Sequence, residues 1–460
     1  MPNDPVITKI ILQNFKRFDS FEVDFNSQLN ILIGDNEAGK SSILQAIDIV
    51  LSGSRNKIES VGLDNLFNYA VIENYLKSER KYELLPELSV ELYLNELDDD
   101  ELCGKYNNKQ INCNGLRLVC APNDDFSKEI TDILLQPDAN FPFEYYSIEF
   151  STFANKSYNS YKKFVRHIVV DNSQTSSEYA IKEYVQEIYN ASVQGVEKLT
   201  NQHKYRDHKE KFTKDVLSAL DGRIPNYSFG IKNSLRASLE NDLAILENNI
   251  SIENKGKGRQ CFIKTELALR SQKELNIILI EEPENHLSHS NMQKLIRKVS
   301  EAENKQIFIA THSDLISARL DLRKTILLNS NNTSLVTLNG LSEDTAKFFM
   351  KSPDNNILRF VLSNKVILVE GNAEYILMDA MYRKIAGKDP NECGVHIIAV
   401  GGTSFKRYLE IAKILAIKTA VITDNDGEIE DLTKKYIDYA AIRTIKIFYD
   451  TDKTRKTFEI

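Results

Sequence analysis

The chain holds 460 residues, 42% hydrophobic and 27% charged, which is ordinary for a globular protein with room for two or three domains. No apolar run reaches the roughly 18 residues that cross a bilayer, and the opening Met1-Pro2-Asn3-Asp4-Pro5 lacks a signal peptide's basic-then-apolar layout, so no membrane contact and a cytoplasmic location are expected. A net charge of −8 argues against a protein that coats nucleic acid broadly, while leaving room for local basic grooves or contacts through metal ions.

Residues 7–12 and 21–25 alternate like two strands joined by a turn. A third apolar run, 29–33, leads straight into Gly34. From Ser41 onward Ile43, Leu44, Ala46, Ile47 and Val50 share a helical face. Between strand and helix, Gly34-Asp35-Asn36-Glu37-Ala38-Gly39-Lys40-Ser41-Ser42 fits G-x-x-x-x-G-K-[ST] at every fixed position. In such a P-loop the glycines let backbone N–H groups wrap phosphates, Lys40 reaches the β and γ oxygens of ATP, and Ser41 ligates Mg²⁺. The helix N-terminus adds partial positive charge at the same point.

Residues 87–150 read mostly as strands. From 176 to 250 the chain is polar, poor in Gly and Pro, and helical in spacing, with Tyr184, Val185, Ile188 and Tyr189 as one example, so a helical insertion is expected. The five cysteines form no C-x-x-C pair and stand at no zinc-finger spacing from a histidine; free thiols are expected.

The buried-type strand 277–280 ends in Glu281-Glu282-Pro283-Glu284. Its direction aims Glu281 at the water shell of Mg²⁺ and Glu282 at the γ-phosphate, where it can orient or deprotonate the attacking water. Glu281 stands where Asp is usual in P-loop ATPases. A further strand, 307–310, runs into Thr311-His312-Ser313, and His312 at its end can hydrogen-bond the γ-phosphate and sense its presence.

A linker is expected at 346–362, followed by a smaller α/β domain at 363–460 with strands at 366–369, 395–400, 420–423 and 445–449. Val369-Glu370-Gly371-Asn372-Ala373-Glu374 is a strand end, an acid, a Gly turn and a second acid on the next helix. Thr423-Asp424-Asn425-Asp426 is another strand end with paired acids. If the two strands are parallel neighbours, Glu370, Asp424 and Asp426 gather in one pocket. Carboxylates so close need a cation, and hard oxygen ligands suit Mg²⁺ or Mn²⁺, which can polarise a phosphodiester and activate a nucleophile.

The P-loop, Glu281-Glu282-Pro283-Glu284-Asn285-His286 and Thr311-His312-Ser313, in this order, resemble the ABC/SMC head ATPases, including the RecF-like and OLD (overcoming lysogenization defect) families. Asn14-Phe15-Lys16-Arg17-Phe18 is similar to an N-terminal element of those heads whose basic residue approaches the nucleotide, and Lys16 matches it. The LSGGQ signature is absent. Asn254-Lys255-Gly256-Lys257-Gly258-Arg259-Gln260 resembles the degenerate signature of OLD-type heads, which would set Gly256 and Gly258 against nucleotide on a second subunit.

The Glu370 and Asp424 motifs, with Val400-Gly401-Gly402-Thr403 between them, look like a TOPRIM domain. Head plus TOPRIM domain resembles the OLD-family ATP-dependent endonucleases over essentially the whole chain. The resemblance implies an α/β fold: an ABC/SMC-type P-loop head (1–175 and 251–345) around the helical insertion at 176–250, then the TOPRIM α/β domain. It implies Glu370 and Asp424 as core metal ligands, Asp426 and Glu374 as completing ligands, and Glu459 as a further acidic position. It also implies ATP and Mg²⁺ (or Mn²⁺) as cofactors and double-stranded DNA as substrate. Further implications are a homodimer or higher homo-oligomer through head and insertion, a role in anti-phage defence, and a restraining or triggering partner protein or nucleic acid. Family members usually continue beyond the last acidic motif, with a basic residue that assists cleavage, so the resemblance implies either a shortened version of the family or an incomplete nuclease half. A different class of function is a non-cleaving, ATP-gated DNA scaffold of the RecF/SMC kind with a TOPRIM docking domain. A topoisomerase would need a Tyr-bearing DNA gate and a primase a polymerase context, and neither is found.

Overall fold

The computed structural model describes residues 4–136, 139–171, 178–193, 195–220, 228–231, 239–270, 275–302, 304–313, 316, 319–329, 332–351, 356–402, 404–425 and 429–452. Among them β1 (Ile7–Phe15) and β2 (Phe18–Asp24) form an antiparallel hairpin, and β3 (Leu29–Gly34) leaves it for a second sheet. The helix α1 (Lys40–Ser52) follows β3, and α2 (Arg55–Val61) and α3 (Tyr69–Leu76) come next. Strands β4 (Leu88–Leu94), β5 (Cys103–Gly104), β6 (Cys113–Pro122) and β7 (Tyr146–Thr152), the last two joined through α4 (Ser127–Leu134), complete the antiparallel sheet, in the order β2-β1-β4-β6-β5 with β7 also on β6.

The second sheet takes β8 (His167–Asp171), β11 (Ile277–Glu281), β12 (Gln306–Thr311), β13 (Thr325–Asn329) and β14 (Asn332–Thr337) in the order β14-β13-β3-β12-β11-β8. All its pairings are parallel except the β13–β14 hairpin. Its central strands read as unbroken apolar runs because both faces are covered. Leu32, Leu279 and Phe308 join a core with α1 and the antiparallel sheet, through Ile43, Ile47, Leu92 and Leu118. Ile31, Ile33, Ile280 and Ile309 join a second core on the opposite face. Parallel register lines up the carboxyl ends, with Glu281 opposite Asp171 and Ala310, and Thr311 opposite Ile33. The P-loop therefore opens at the edge where these strand ends meet.

The insertion expected to be helical throughout 176–250 contains α5 (Glu178–Ser192) and α6 (Gly195–Asp215), but it closes with a small hairpin, β9 (Leu246–Glu247) and β10 (Ile250–Ser251). The reason is local: Asn248 and Asn249 both take positive φ, 52° and 62°, the pair of conformations that a two-residue type I′ turn demands. Ile181 and Val185 of α5 pack with Ile252 and with Ile263 of α7 (Lys257–Arg270).

The stretch expected to be a linker at 346–362 is not an exposed tether. Helices Glu343–Lys351 and Ile357–Val361 occupy it, and Ala346, Phe349, Ile357 and Phe360 are fully buried. These apolar positions were legible as residues; their partners lie far away in sequence. Both aromatic rings meet Tyr408 edge-on, each at 5.1 Å between centroids.

The C-terminal sheet is parallel, β16 (Val395–Ala399), β15 (Lys365–Val369), β17 (Lys418–Ile422) and β18 (Ile445–Phe448), side by side in that order. Helix Phe405–Leu415 covers it through Phe405, Tyr408, Leu409 and Ile411, in the same core that reaches Ile31 and Ile33 of the head. Among the described residues no helix is long and apolar enough to cross a membrane.

Candidate functional site

The P-loop is shaped by close approach. A Cβ on Gly34 would stand 2.4 Å from the Leu328 carbonyl oxygen, and one on Gly39, whose φ is +96°, would stand 2.4 Å from the Phe18 ring. Only glycine fits either position. Glu37 also takes a positive φ, 63°, and its carbonyl accepts from the Arg17 guanidinium. Ala38 is buried, and its N–H donates to the Asp35 carbonyl at 3.2 Å. Asn36 is exposed on the loop, and Ser42 is half-buried at the start of α1. Lys40 is 7% exposed, and its Nζ donates to the carbonyls of Gly34 at 2.7 Å and Asp35 at 2.8 Å. Burial pulls the Lys40 ammonium below its usual range, against the opposing pull of Glu282, Asp35, Glu284 and Glu281. A buried cation ringed by carboxylates and carbonyls, at the mouth of a helix N-terminus, fits a polyphosphate.

Across the loop, Glu281 ends β11, with Ser41 close enough to bear on its carboxyl. Burial raises the Glu281 carboxyl, as do Asp171 and Glu282, while Ser41 and Lys16 pull it back down. Lys16, at φ 50°, is held by its N–H on the Leu66 carbonyl at 2.7 Å. Its ammonium is lowered by burial, with Glu281 opposing. The sequence-derived set Lys16, Lys40, Ser41 and Glu281 is thus brought together, and its hydroxyl and carboxylate oxygens are the donors a hard divalent cation takes.

Glu282 has φ 46°, and its N–H donates to Ala310 O at 2.9 Å. Asn285 Nδ2 donates to Glu282 Oε2 at 2.5 Å. His312 Nδ1 lies 3.9 Å from Glu282 Oε1 and 3.4 Å from Glu284 Oε1. Glu284 Oε1 accepts from Thr311 Oγ1 at 2.8 Å and from the His312 N–H at 2.9 Å, which pins the two strand ends to each other.

The signature-like loop starts α7. Gly258 lies under the Glu-rich loop, where a Cβ would meet the His286 carbonyl oxygen at 2.1 Å; nothing lies within 4 Å of a Cβ on Gly256. Gly256 O accepts from the N–H groups of Arg259 and Gln260 at 2.8 and 3.1 Å. In the single chain, then, Gly258 touches the strand-end loop and Gly256 stays open.

In the C-terminal domain, Glu370 follows β15 and Asp424 follows β17, its parallel neighbour. Glu370 Oε1 accepts from Thr423 Oγ1 at 2.5 Å and from the Asp424 N–H at 3.3 Å. The Gly401 and Gly402 N–H groups both donate to the Glu370 carbonyl, at 2.9 and 3.0 Å, so the glycine turn after β16 closes on the same strand end. Asp424 Oδ1 is buried with no hydrogen-bond partner among the described residues. An orphaned carboxylate oxygen beside a second carboxylate fits a divalent cation, which would take its lone pair. Glu374 is otherwise engaged: its Oε2 accepts from the Gly371 N–H at 2.9 Å and so caps the start of helix Asn372–Ala386. Asp426 and Glu459 lie outside the described residues. Among those that are described, no three His, Cys, Asp or Glu side chains gather as a metal group.

Two acids escaped the sequence reading. Asp171 ends β8 directly opposite Glu281, and its signal was present in His167-Ile168-Val169-Val170-Asp171, an apolar strand ending in an acid like the one at Glu281. Glu284 was visible in the Glu-Glu-Pro-Glu run, but its contacts with Thr311 and His312 depend on tertiary pairing.

Residues 361–426 match the family described as overcoming lysogenization defect protein-like, TOPRIM domain; residues 6–242 match an AAA ATPase domain, and residues 256–318 a further AAA domain family. The Old nuclease of Escherichia phage P2 is 28% identical over 168 residues, 34% of this chain and 28% of that one. Endonuclease GajA of Bacillus cereus strain VD045 is 29% identical over 153 residues, 33% of this chain and 26% of that one. GajA of B. cereus strain HuB5-5 is 21% identical across 95% of this chain and 76% of its own length. The first two matches thus span little more than a quarter of each relative. With residues 6–242, more than half of the chain, matched by the AAA ATPase domain family, the chain belongs to that family, and an OLD-like TOPRIM domain follows the ATPase part.

Proposed function

We propose that the protein is an ATP-binding and ATP-hydrolysing, divalent-metal-dependent DNA endonuclease of the OLD type, acting in anti-phage defence. The observation that carries the nuclease half is the pairing of Glu370 with Asp424 at adjacent strand ends, with Asp424 Oδ1 buried and unpartnered. In the head, Lys40 and the N–H groups from Gly34 to Ser42 hold the phosphates, and Lys16 neutralises charge beside Glu281. Mg²⁺ or Mn²⁺, when bound, supplies charge neutralisation at phosphate and a more acidic water. Ser41 and Glu281, with Asp171, would hold it in the head; Glu370 and Asp424, with Asp426, Glu374 and Glu459, would hold it in the TOPRIM domain. Glu282 orients and deprotonates the attacking water, and His312 reports the γ-phosphate to the strand end that Glu284 pins.

Open space at Gly256 suits a head that closes against a second copy, with the 176–250 insertion adding contacts. The OLD kinship supports double-stranded DNA as substrate and a defence-system partner protein or nucleic acid as trigger. Incubation with supercoiled plasmid and Mg²⁺ or Mn²⁺, with and without ATP, tests the reading. Nicking that disappears in Glu370→Ala is expected. Nicking that survives in this variant refutes the site, and a wild-type protein that binds plasmid without cutting it points to the ATP-gated scaffold instead.

A further inference from the structure

Tyr436 stands between helix Ile429–Lys435 and the short helix Ile437–Ala440, in the crossover from β17 to β18. Because β17 and β18 are parallel, this crossover must return from the carboxyl end of one to the amino end of the other. It starts just past Asp424 and runs back along the sheet. The Tyr436 N–H donates to the Leu432 carbonyl at 3.3 Å, which keeps the residue in the last turn of the first helix. Side chains on a helix lean toward its N-terminus, so a ring at this point leans back toward the strand ends that carry Glu370 and Asp424.

The residue is 4% exposed and belongs to the core that holds Val366 and Leu368 of β15, Val421 of β17 and Ile445 of β18. Its hydroxyl is buried with no hydrogen-bond partner among the described residues. A phenylalanine would fill the same space and leave no polar group unpaired, so packing alone does not ask for tyrosine. Burial, and then the negative charge of Glu370, pushes the hydroxyl up to about 12. It therefore keeps its proton near neutral pH and stands as a donor close to a carboxylate.

Two buried groups around Glu370 thus stand unpaired, the Tyr436 hydroxyl and Asp424 Oδ1. Thr423 Oγ1 and the Asp424 N–H both donate to Glu370 Oε1 rather than Oε2. We propose that Tyr436 is a positioning residue of the nuclease half: its hydroxyl donates to the Glu370 carboxylate when a divalent cation is held there, and so fixes that carboxylate for the cation it shares with Asp424. This role rests on the metal site proposed at Glu370 and Asp424. Buried behind those carboxylates, Tyr436 meets neither substrate nor cation and acts through Glu370. A hydrogen bond made only in the bound state adds to affinity for the cation, whereas one made in both states adds nothing. Donors that orient a ligating carboxylate typically account for about 10–100-fold in metal affinity.

Mn²⁺ is titrated by calorimetry into the full chain without nucleotide, and the binding that Glu370→Ala removes belongs to this site. Tyr436→Phe is expected to weaken that binding about tenfold or more, while the thermal midpoint in EDTA stays level or rises because an unpaired hydroxyl has gone. A midpoint that falls in EDTA overturns the proposal, since the hydroxyl then supports the fold rather than the ligand. If Glu370→Ala loses Mn²⁺ and Tyr436→Phe keeps it, the positioning role fails and the nuclease site stands. If Glu370→Ala binds Mn²⁺ as the wild type does, the site of the proposed function fails, and the role of Tyr436 with it.

Discussion

Glu282 and Glu284 sit two residues apart in one loop, yet their surroundings suit them to different work. Glu284 spends Oε1 on Thr311 and the His312 N–H, so that oxygen is committed to holding two strand ends in register. Glu282, in a left-handed conformation that non-glycine residues seldom adopt, is turned toward the loop mouth, with Asn285 on one oxygen and the other 3.9 Å from His312. Such conformations persist where the surroundings enforce them, here the hydrogen bond from the Glu282 N–H to Ala310. Glu282→Gln keeps the shape and the Asn285 contact but removes the carboxylate proposed as the base. Steady-state ATP hydrolysis is expected to fall about 100-fold or more, with nucleotide affinity retained. Hydrolysis that persists in Glu282→Gln and collapses in Glu284→Gln would move the base to Glu284.

At the scale of elements, Gly258 couples the start of α7 to the loop that carries Glu282. A methyl group there meets backbone at His286, which cannot swing aside as a side chain would. Gly258→Ala is expected to slow ATP hydrolysis about tenfold or more through a shifted loop, whereas Gly256→Ala, with open space around it, leaves the single chain's stability unchanged. Equal thermal midpoints and equal rates for the two variants would remove the coupling.

Glu374 poses a similar question on helix Asn372–Ala386, because its carboxylate already caps that helix. Gln can fill the N3 position of a capping box and Ala cannot. If Glu374 ligates metal, both Glu374→Gln and Glu374→Ala lose nicking. If it only fixes the turn after Glu370, Glu374→Gln keeps nicking and Glu374→Ala loses about 1 kcal/mol of stability, measured by denaturant midpoint.

The sequence made much of this legible because the nucleotide elements are local. A strand, a glycine loop and a helix announce themselves within 29–52, and Glu281, Glu370 and Asp424 stand at the ends of apolar runs. The pairing of Asp171 with Glu281 needed strands more than a hundred residues apart to become neighbours. The β9–β10 hairpin was missed because polar composition outweighed its Asn248-Asn249 turn. Helix Ile357–Val361 hid in a boundary region because its partner, Tyr408, lies some fifty residues further on.

At the scale of the molecule, that helix decides whether head and TOPRIM domain behave as one body. Phe360 is fully buried, and its ring packs on Tyr408 of the TOPRIM domain. Phe349 reaches the same ring from the preceding helix. The core containing them runs from Ile31 and Ile309 in the head to Val366, Leu368 and Val421 in the C-terminal sheet. A ligand that binds only the folded head stabilises everything that unfolds with it, by about 2.7 kcal/mol at a hundredfold excess over its dissociation constant. With a shared core, that stabilisation extends past Phe360. Hydrogen exchange should therefore show Mg-ATP slowing amides of β15 and β17 as well as those of β3 and β12. Phe360→Ala, which costs about 3–5 kcal/mol at a buried aromatic, should cut the link, so that ATP still protects β3 and β12 but no longer β15 and β17. If ATP leaves β15 and β17 untouched in the wild type, the two halves are energetically separate within the chain. If ATP protects them equally in the variant, the connection runs through the core without passing Phe360.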